Sequence, residues 1–186
     1  MDRSVYDGCM PPGPRDRLVA ATIDLVRERG VHGTGLADVL ERSGTARASI
    51  YQHFPGGKGQ LVAEAVRVAG DHLERVADRG PDAGASTRGA AMVEALLDWW
   101  SREITRHGGE RGCPVAAAAV DADPLVRAAA DGVFARLHRR LADEVGDAGL
   151  AGFVLSAVEG AVLRSRAAQD PAALEEARHQ VRRLLA

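Results

Sequence analysis

The chain has 186 residues, 46% of them apolar and 27% charged, with a formal net charge of −2, which excludes both a disordered coil and a disulfide-stapled miniprotein. At a typical ~100–200 residues per domain the length allows one domain, or a small one joined to a medium one, and excludes a large multidomain enzyme. Cys9 and Cys113 form no C-x-x-C pair, which fits a reducing cytoplasm better than secretion.

Residues 1–14 hold Asp2, Arg3, Asp7 and three prolines in place of an apolar run, so a disordered arm is expected and no signal peptide. No stretch reads as ~18 uncharged apolar residues, and neither a membrane span nor a membrane partner is expected. Order begins near Arg15: Leu18, Ala21, Thr22, Leu25 and Val26 recur at helical spacing up to the stop residue Gly30. Leu36, Val39 and Leu40 predict a second, short helix to Ser43-Gly44, and Ile50, Tyr51 and Phe54 a third, ending at Pro55-Gly56-Gly57. From Lys58 a longer helix carries Leu61, Val62, Ala65, Val66, Ala69, Leu73 and Val76 before residues 80–86 break it as a hinge. Further helices are predicted from Thr87 to Arg106, Val115 to Ala122, Pro124 to Val145, Leu150 to Gln169 and Pro171 to Leu185. With no period-2 run of β-branched residues, the fold class is all-α, about nine helices.

Residues Leu36 to Phe54 have helix-turn-helix spacing: a short helix, a glycine at Gly44, and a second helix whose outward positions are Arg47, Ser49, Gln52 and His53. Glycine permits the sharp turn, Ile50 anchors the second helix, and polar donors remain for the major groove. From Arg42 to Ala63 there is no Asp or Glu, while Arg42, Arg47, His53 and Lys58 all occur. That local cationic stretch, hidden by the near-neutral total, suits a phosphate backbone. An αα-corner with a solvated basic face is the alternative.

The run Ser43-Gly44-Thr45-Ala46-Arg47-Ala48-Ser49-Ile50-Tyr51-Gln52-His53-Phe54, followed by Lys58 opening a long helix, resembles the N-terminal domain of TetR-family transcriptional regulators. The likeness reaches back through Gly30, Thr34 and Leu36-Ala37-Asp38-Val39-Leu40, covering roughly residues 15–75. Phe54-Pro55-Gly56-Gly57-Lys58-Gly59-Gln60-Leu61 and Gly112-Cys113-Pro114-Val115 are similar to the LmrA/YxaF-like branch. The resemblance implies a cytoplasmic homodimer with a DNA-binding head, residues 15–57, and a ligand-binding and dimerisation body, residues 58–186. It implies a repressor that binds a palindromic double-stranded DNA operator and is released by a small aromatic or hydrophobic effector, flavonoid-like in some relatives. Arg47, Ser49, Gln52 and His53 would approach base edges or phosphates, Thr45 and Tyr51 the backbone, and Lys58 and Thr34 phosphates. Arg47 and Gln52 are favoured for specificity, since both side chains make bidentate base contacts. The chain departs from the family at Gly35 and Ala46, where a hydroxyl cap is common; Thr34 or Thr45 would then cap instead.

In the body, Trp100 continues a Val93-Leu96-Leu97-Ile104 core stripe, whereas Trp99 shares a face with Met92 and Glu103. The candidate effector residues are Met92, Leu96, Trp99, Cys113, Phe134 and His138, against the reading that both tryptophans are packing residues. Cys113 before Pro114 raises the idea of a reactive thiol, but its place in the branch's loop pattern favours a structural role. No His or Cys spacing suggests a metal, and no cofactor is expected. The stretch Leu150 to Leu163 is apolar nearly all round, so it needs a second partner, and with the last helix it would form a four-helix bundle between two copies. Phe153, Leu155, Val158, Val162, Leu174, Ala177, Val181 and Leu184 are the expected dimer contacts; burial within one chain is the alternative. Rival functions are a constitutive helix-turn-helix regulator without effector and an all-α enzyme. The second lacks G-x-S-x-G, P-loop and H-E-x-x-H motifs.

Overall fold

Proline at a first helical position leaves no hydrogen bond unmade, so Pro14 opens α1 where the sequence suggested the end of a disordered arm. The structure is a computed structural model describing residues 13–79 and 87–186. The rest of the expected arm, residues 1–12, and the expected hinge at 80–86 lie outside the described residues. Within them are nine helices and no strand: α1 Pro14–Arg29, α2 Leu36–Ser43, α3 Arg47–His53, α4 Gly57–Asp78, α5 Arg88–His107, α6 Pro114–Ala119, α7 Pro124–Val145, α8 Ala148–Ala168 and α9 Ala172–Leu184. The all-α expectation holds, with boundaries moved by a few residues at most.

Two apolar cores are built, and α4 belongs to both. Leu18, Val19, Leu25, Val39, Ile50 and Phe54 from α1–α3 and the residue after them close over Leu61 and Ala65 of α4. On the other side of the same helix, Val62, Val66 and Leu73 join Val93, Leu97 and Trp100 of α5, Val133 and Leu137 of α7, and Val154 and Val158 of α8. Helix α4 lies close on α7 because Gly70 has no side chain: a Cβ there would sit 2.4 Å from Cγ2 of Val133. Along that contact Arg136 reaches Glu74 at 2.6 Å and Asp71 at 3.0 Å, and Arg140 pairs with Glu74 at 3.5 Å and also with Asp78.

Helix α8 is long and apolar enough, by length and composition, to cross a bilayer, although Glu159, Arg164 and Arg166 interrupt it, so the expectation of no ~18-residue uncharged apolar stretch stands. Here it packs as a core helix: Ala151, Val154, Val158, Ala161 and Val162 are buried in the body. Helix α9 is fastened to α5 by Arg178 and Arg182, which both pair with the buried Glu94.

Candidate nucleic-acid interface

The turn between α2 and α3 requires a left-handed residue, and Gly44 supplies it at φ 61°, ψ 32°. Beside it the hydroxyls of Ser43 and Thr45 hydrogen-bond to each other at 2.8 Å. Ile50 at 0% and Phe54 at 2% exposure hold α3 against the head core, and the Arg15 guanidinium lies 5.7 Å from the Phe54 ring centre. With that face buried, the opposite one is free: Arg47, Tyr51 and Gln52 are exposed, and Ser49, His53 and Thr45 are half-buried. Among the described residues no carboxylate pairs with Arg47, His53 or Lys58. Arg42, by contrast, is drawn back to Glu28 of α1 at 2.8 Å. The start of α4 is closed by Gln60, whose Oε1 accepts from the Gly56 N–H at 2.8 Å. Half-buried Lys58 stands in that helix's first turn, where unpaired amides and the helix dipole favour an anion.

Three expectations for the head are corrected. Thr34 is 1% exposed and its hydroxyl donates to the Gly30 carbonyl at 2.8 Å, so it closes the α1–α2 turn and is not offered to a phosphate. Neither Thr34 nor Thr45 caps a helix: the N-cap positions of α2 and α3 are Gly35 and Ala46, with no side-chain cap. In partial compensation the Asp38 carboxylate accepts from the Gly35 N–H at 3.3 Å.

The body also differs from its expected reading. Met92 and Leu96 are core residues at 5% and 8% exposure. Trp99 packs partly buried against the body core, with the His72 ring centre 5.4 Å away, that of Trp100 at 4.5 Å, and the Arg27 guanidinium of α1 5.5 Å over its face. Arg27 pairs with the buried Glu103 beneath it. Burial, then the nearby Arg75, lowers the pKa of His72, which keeps that ring neutral against the tryptophan. His138 is half-buried, its Nε2 hydrogen-bonded to the Ala148 carbonyl at 2.9 Å, and Phe134 packs partly against the body core. A surface cleft of about 550 Å³ is lined by Glu28, Gly109, Glu110, Leu163, Arg166 and Ala167, and a groove of about 780 Å³ runs along α8 and α9. None of the six expected effector residues lines either one.

Cys113 is not a reactive thiol. It is 4% exposed, its Sγ accepts from the Ala116 N–H at 3.5 Å to cap α6, and burial followed by the charge of Glu159 pushes its pKa well up. The thiol itself donates to Glu159 Oε1 at 3.7 Å.

Residues 18–65 match the family model for bacterial regulatory proteins of the tetR family, and residues 89–180 match that of the LmrA/YxaF-like transcriptional regulator C-terminal domain. The chain is 35% identical over 191 aligned positions to an uncharacterized HTH-type transcriptional regulator of Mycobacterium tuberculosis, covering 93% of this chain and 94% of that protein. The chain belongs to the TetR family of transcriptional regulators. To LmrA of Bacillus subtilis this regulator is 33% identical over 54% of its own length and 53% of LmrA. Its fold superposes on a TetR transcriptional regulator from Legionella pneumophila with a TM-score of 0.79 at 20% identity, over 94% of this chain and 98% of that one. It also superposes on the multidrug binding protein EbrR complexed with malachite green, with a TM-score of 0.73 at 24% identity, over 93% and 98% of the two chains. These families and relatives are regulators, not enzymes.

The TetR-family regulator presents only part of the expected dimer surface. Val158, Val162, Leu174 and Val181 are at most 3% exposed within a single chain, because α8 turns that side to its own body and α9 lies over it. Phe153, 60% exposed, and Leu184, 45% exposed, face out, and Leu155 and Ala177 are half-buried. Phe153, Ala157, Gly160, Ala177 and Leu184 belong to the α8–α9 groove. Sequence reading missed the Arg27–Glu103 pair and Glu159. Glu159 carried a visible signal, as the single charged residue between Ala148 and Leu163.

Proposed function

We propose that this TetR-family regulator is a ligand-responsive repressor that binds a palindromic operator as a homodimer. The observation that carries the reading is the face of α3: Arg47, Tyr51 and Gln52 stand exposed beside a left-handed Gly44 turn, with no carboxylate among the described residues paired to Arg47. In the major groove Arg47 would read guanine and Gln52 adenine, while Ser49, Tyr51, His53, Thr45 and Lys58 would hold phosphates or flanking edges. The operating division is a reading head at residues 15–57 and a sensing and pairing body at residues 58–186, in the cytoplasm where operator DNA lies.

Pairing would use the outer face of α8 and α9, where Phe153, Ala157, Gly160, Ala177 and Leu184 line an apolar groove and Phe153 and Leu184 stand exposed in one chain. A two-fold dimer is what sets two reading helices about one DNA turn, ~34–36 Å, or a multiple of it apart. An effector in the body would favour a head spacing that does not fit the operator; moving occupancy from 99:1 to 1:99 needs about 5.5 kcal/mol of differential binding. Two physical connections could carry that coupling: α4, which is part of both cores, and the Arg27–Trp99–Glu103 contact between α1 and α5. EbrR, crystallised with malachite green, supports an aromatic effector.

The test is a nuclease footprint on the DNA flanking the regulator's own gene, with and without malachite green or the flavonoid quercetin. A two-fold symmetric protected site that either compound clears is the expected result. Protection that no aromatic compound or cell extract relieves would leave a constitutive regulator, and no protected site would remove the operator altogether.

A further inference from the structure

The carboxyl end of α1 is finished by the body and not by the head. An α-helix leaves its last four carbonyls without partners inside the helix. In α1 the Arg27 carbonyl accepts from the Gly112 N–H at 2.9 Å, and the Glu28 carbonyl from Nη2 of Arg166, also at 2.9 Å. The same Nη2 reaches the Glu110 carbonyl at 3.3 Å, so one guanidinium of α8 bridges α1 and the loop between α5 and α6. From that loop Arg111 pairs with Asp24 at 3.3 Å and with Glu28 at 3.2 Å, acids one turn apart on one face of α1. Two guanidinium groups thus stand at the negative end of the α1 dipole. Gly112 leaves one of them its place: a Cβ there would sit 2.7 Å from Nη1 of Arg166 and 2.9 Å from its Cδ.

We infer that Arg166 and Arg111 are positioning residues for DNA binding: they lock the head at one angle to the body and, in the dimer proposed above, set the separation of the two α3 helices. A head held by α4 alone could swing about that helix. Arg15, at the start of α1, pairs with Glu64 of α4 itself and gives no purchase against such a swing. The clasp lies roughly 20 Å further along α1 at 1.5 Å per residue, where it does. Because Arg166 belongs to α8, whose outer face is the proposed pairing surface, it ties the head to the two-fold axis without passing through α4. Neither arginine need touch DNA, since both act through α1, whose Leu18 and Leu25 share the head core with Ile50 of α3. One base pair moves a half-site by ~3.4 Å along the duplex and turns it by ~34–36°, so a swing of a few ångströms at α3 is enough to blur the choice between neighbouring spacings.

The inference rests on the homodimer reading, and one arm of its test needs neither a second copy nor DNA. The Gly112 amide, bonded across the clasp, should exchange its hydrogen at least tenfold faster in Arg166→Met than in the parent chain, while the Leu97 amide in the body keeps its rate. The other arm uses synthetic duplexes carrying two copies of the half-site that the parent selects, at the selected spacing and at one base pair more or less, beside a duplex with a single half-site. The parent should favour its own spacing at least tenfold over either neighbour. Arg166→Met should bring that preference within about threefold and leave affinity for the single half-site within about twofold. Gly112→Ala, which displaces the guanidinium with its charge intact, should do the same, and Arg166→Lys, which can still donate to a carbonyl, should recover part of the preference. An arginine that only stabilises the fold would weaken every duplex alike; that result, or a tenfold preference surviving in R166M and G112A, overturns the inference. So does a Gly112 amide that exchanges no faster in R166M. Selection of no inverted repeat by the parent would remove the homodimer reading and the spacing role with it, leaving the amide to decide the lock between head and body.

Discussion

Arg47 and Lys58 are both unpaired cations at the head surface among the described residues, but their positions assign them different work. Arg47 opens the seven-residue helix α3, where on the proposed reading a guanidinium would address a guanine edge, while Lys58 stands in the first turn of α4, where a phosphate would dock. Arg47→Ala should therefore cost ~1–3 kcal/mol per half-site on the operator and much less on random DNA, whereas Lys58→Ala should weaken both alike and reduce the salt slope by about one. Titrations of labelled operator and scrambled duplex at three salt concentrations check both; equal losses for Arg47→Ala would make it a phosphate clamp. The exposed face of α3 was legible in the sequence because Ile50 and Phe54 fix the buried side and the 3.6-residue period then dictates the rest. Thr34 was not legible. A threonine hydroxyl can turn to a carbonyl four residues back as easily as to a ligand, and only the coordinates show that it donates to Gly30.

Helices, taken one by one, were predictable from spacing and stop residues, and their partners were not. The sequence shows α8 as apolar nearly all round and hence twice covered; it does not say which side belongs to the chain's own body. The structure gives Val158 and Val162 to the body and leaves Phe153 outside. Close approach of α4 to α7 through Gly70 was equally silent, since one glycine in a helix has no spacing to read. Gly70→Ala should destabilise the fold by ~1–3 kcal/mol by overpacking against Val133, and Val133→Ala should restore much of the loss in the double variant, as denaturant melts would show. Glu159 makes the opposite prediction for α8. Its folded pKa of about 7 lies above the ordinary value near ~4.3, so the folded state holds a proton that the unfolded chain has released, and stability falls as pH rises through that window. Glu159→Gln should abolish this decline, gaining on the order of 1–3 kcal/mol at pH 8 and little below about pH 4. Urea melts of parent and variant at pH 4 and pH 8 check it; a variant less stable at both values would make Glu159 a packing residue.

At the scale of the whole molecule, two copies must meet for one reading helix to become two. Phe153→Asp puts a charge on the exposed α8 strip without disturbing the body core, so sedimentation should report a folded monomer with operator affinity lost by orders of magnitude. Val158→Asp, aimed at a side chain 3% exposed, should instead lose the fold. The link between α1 and α5 is also a property of the whole: Arg27 pairs with Glu103 and lies over Trp99, and no local pattern announces a contact between residues so far apart in sequence. The claim on which everything else depends is that a symmetric pair of α3 helices reads DNA. Selection of bound duplexes from a randomised library by the purified chain tests it most directly. The account predicts an inverted-repeat consensus whose half-sites are centred about 10 base pairs apart, or a multiple of that, and which vanishes with Arg47→Ala. Enrichment of an unsymmetrical sequence, or of none, would contradict it.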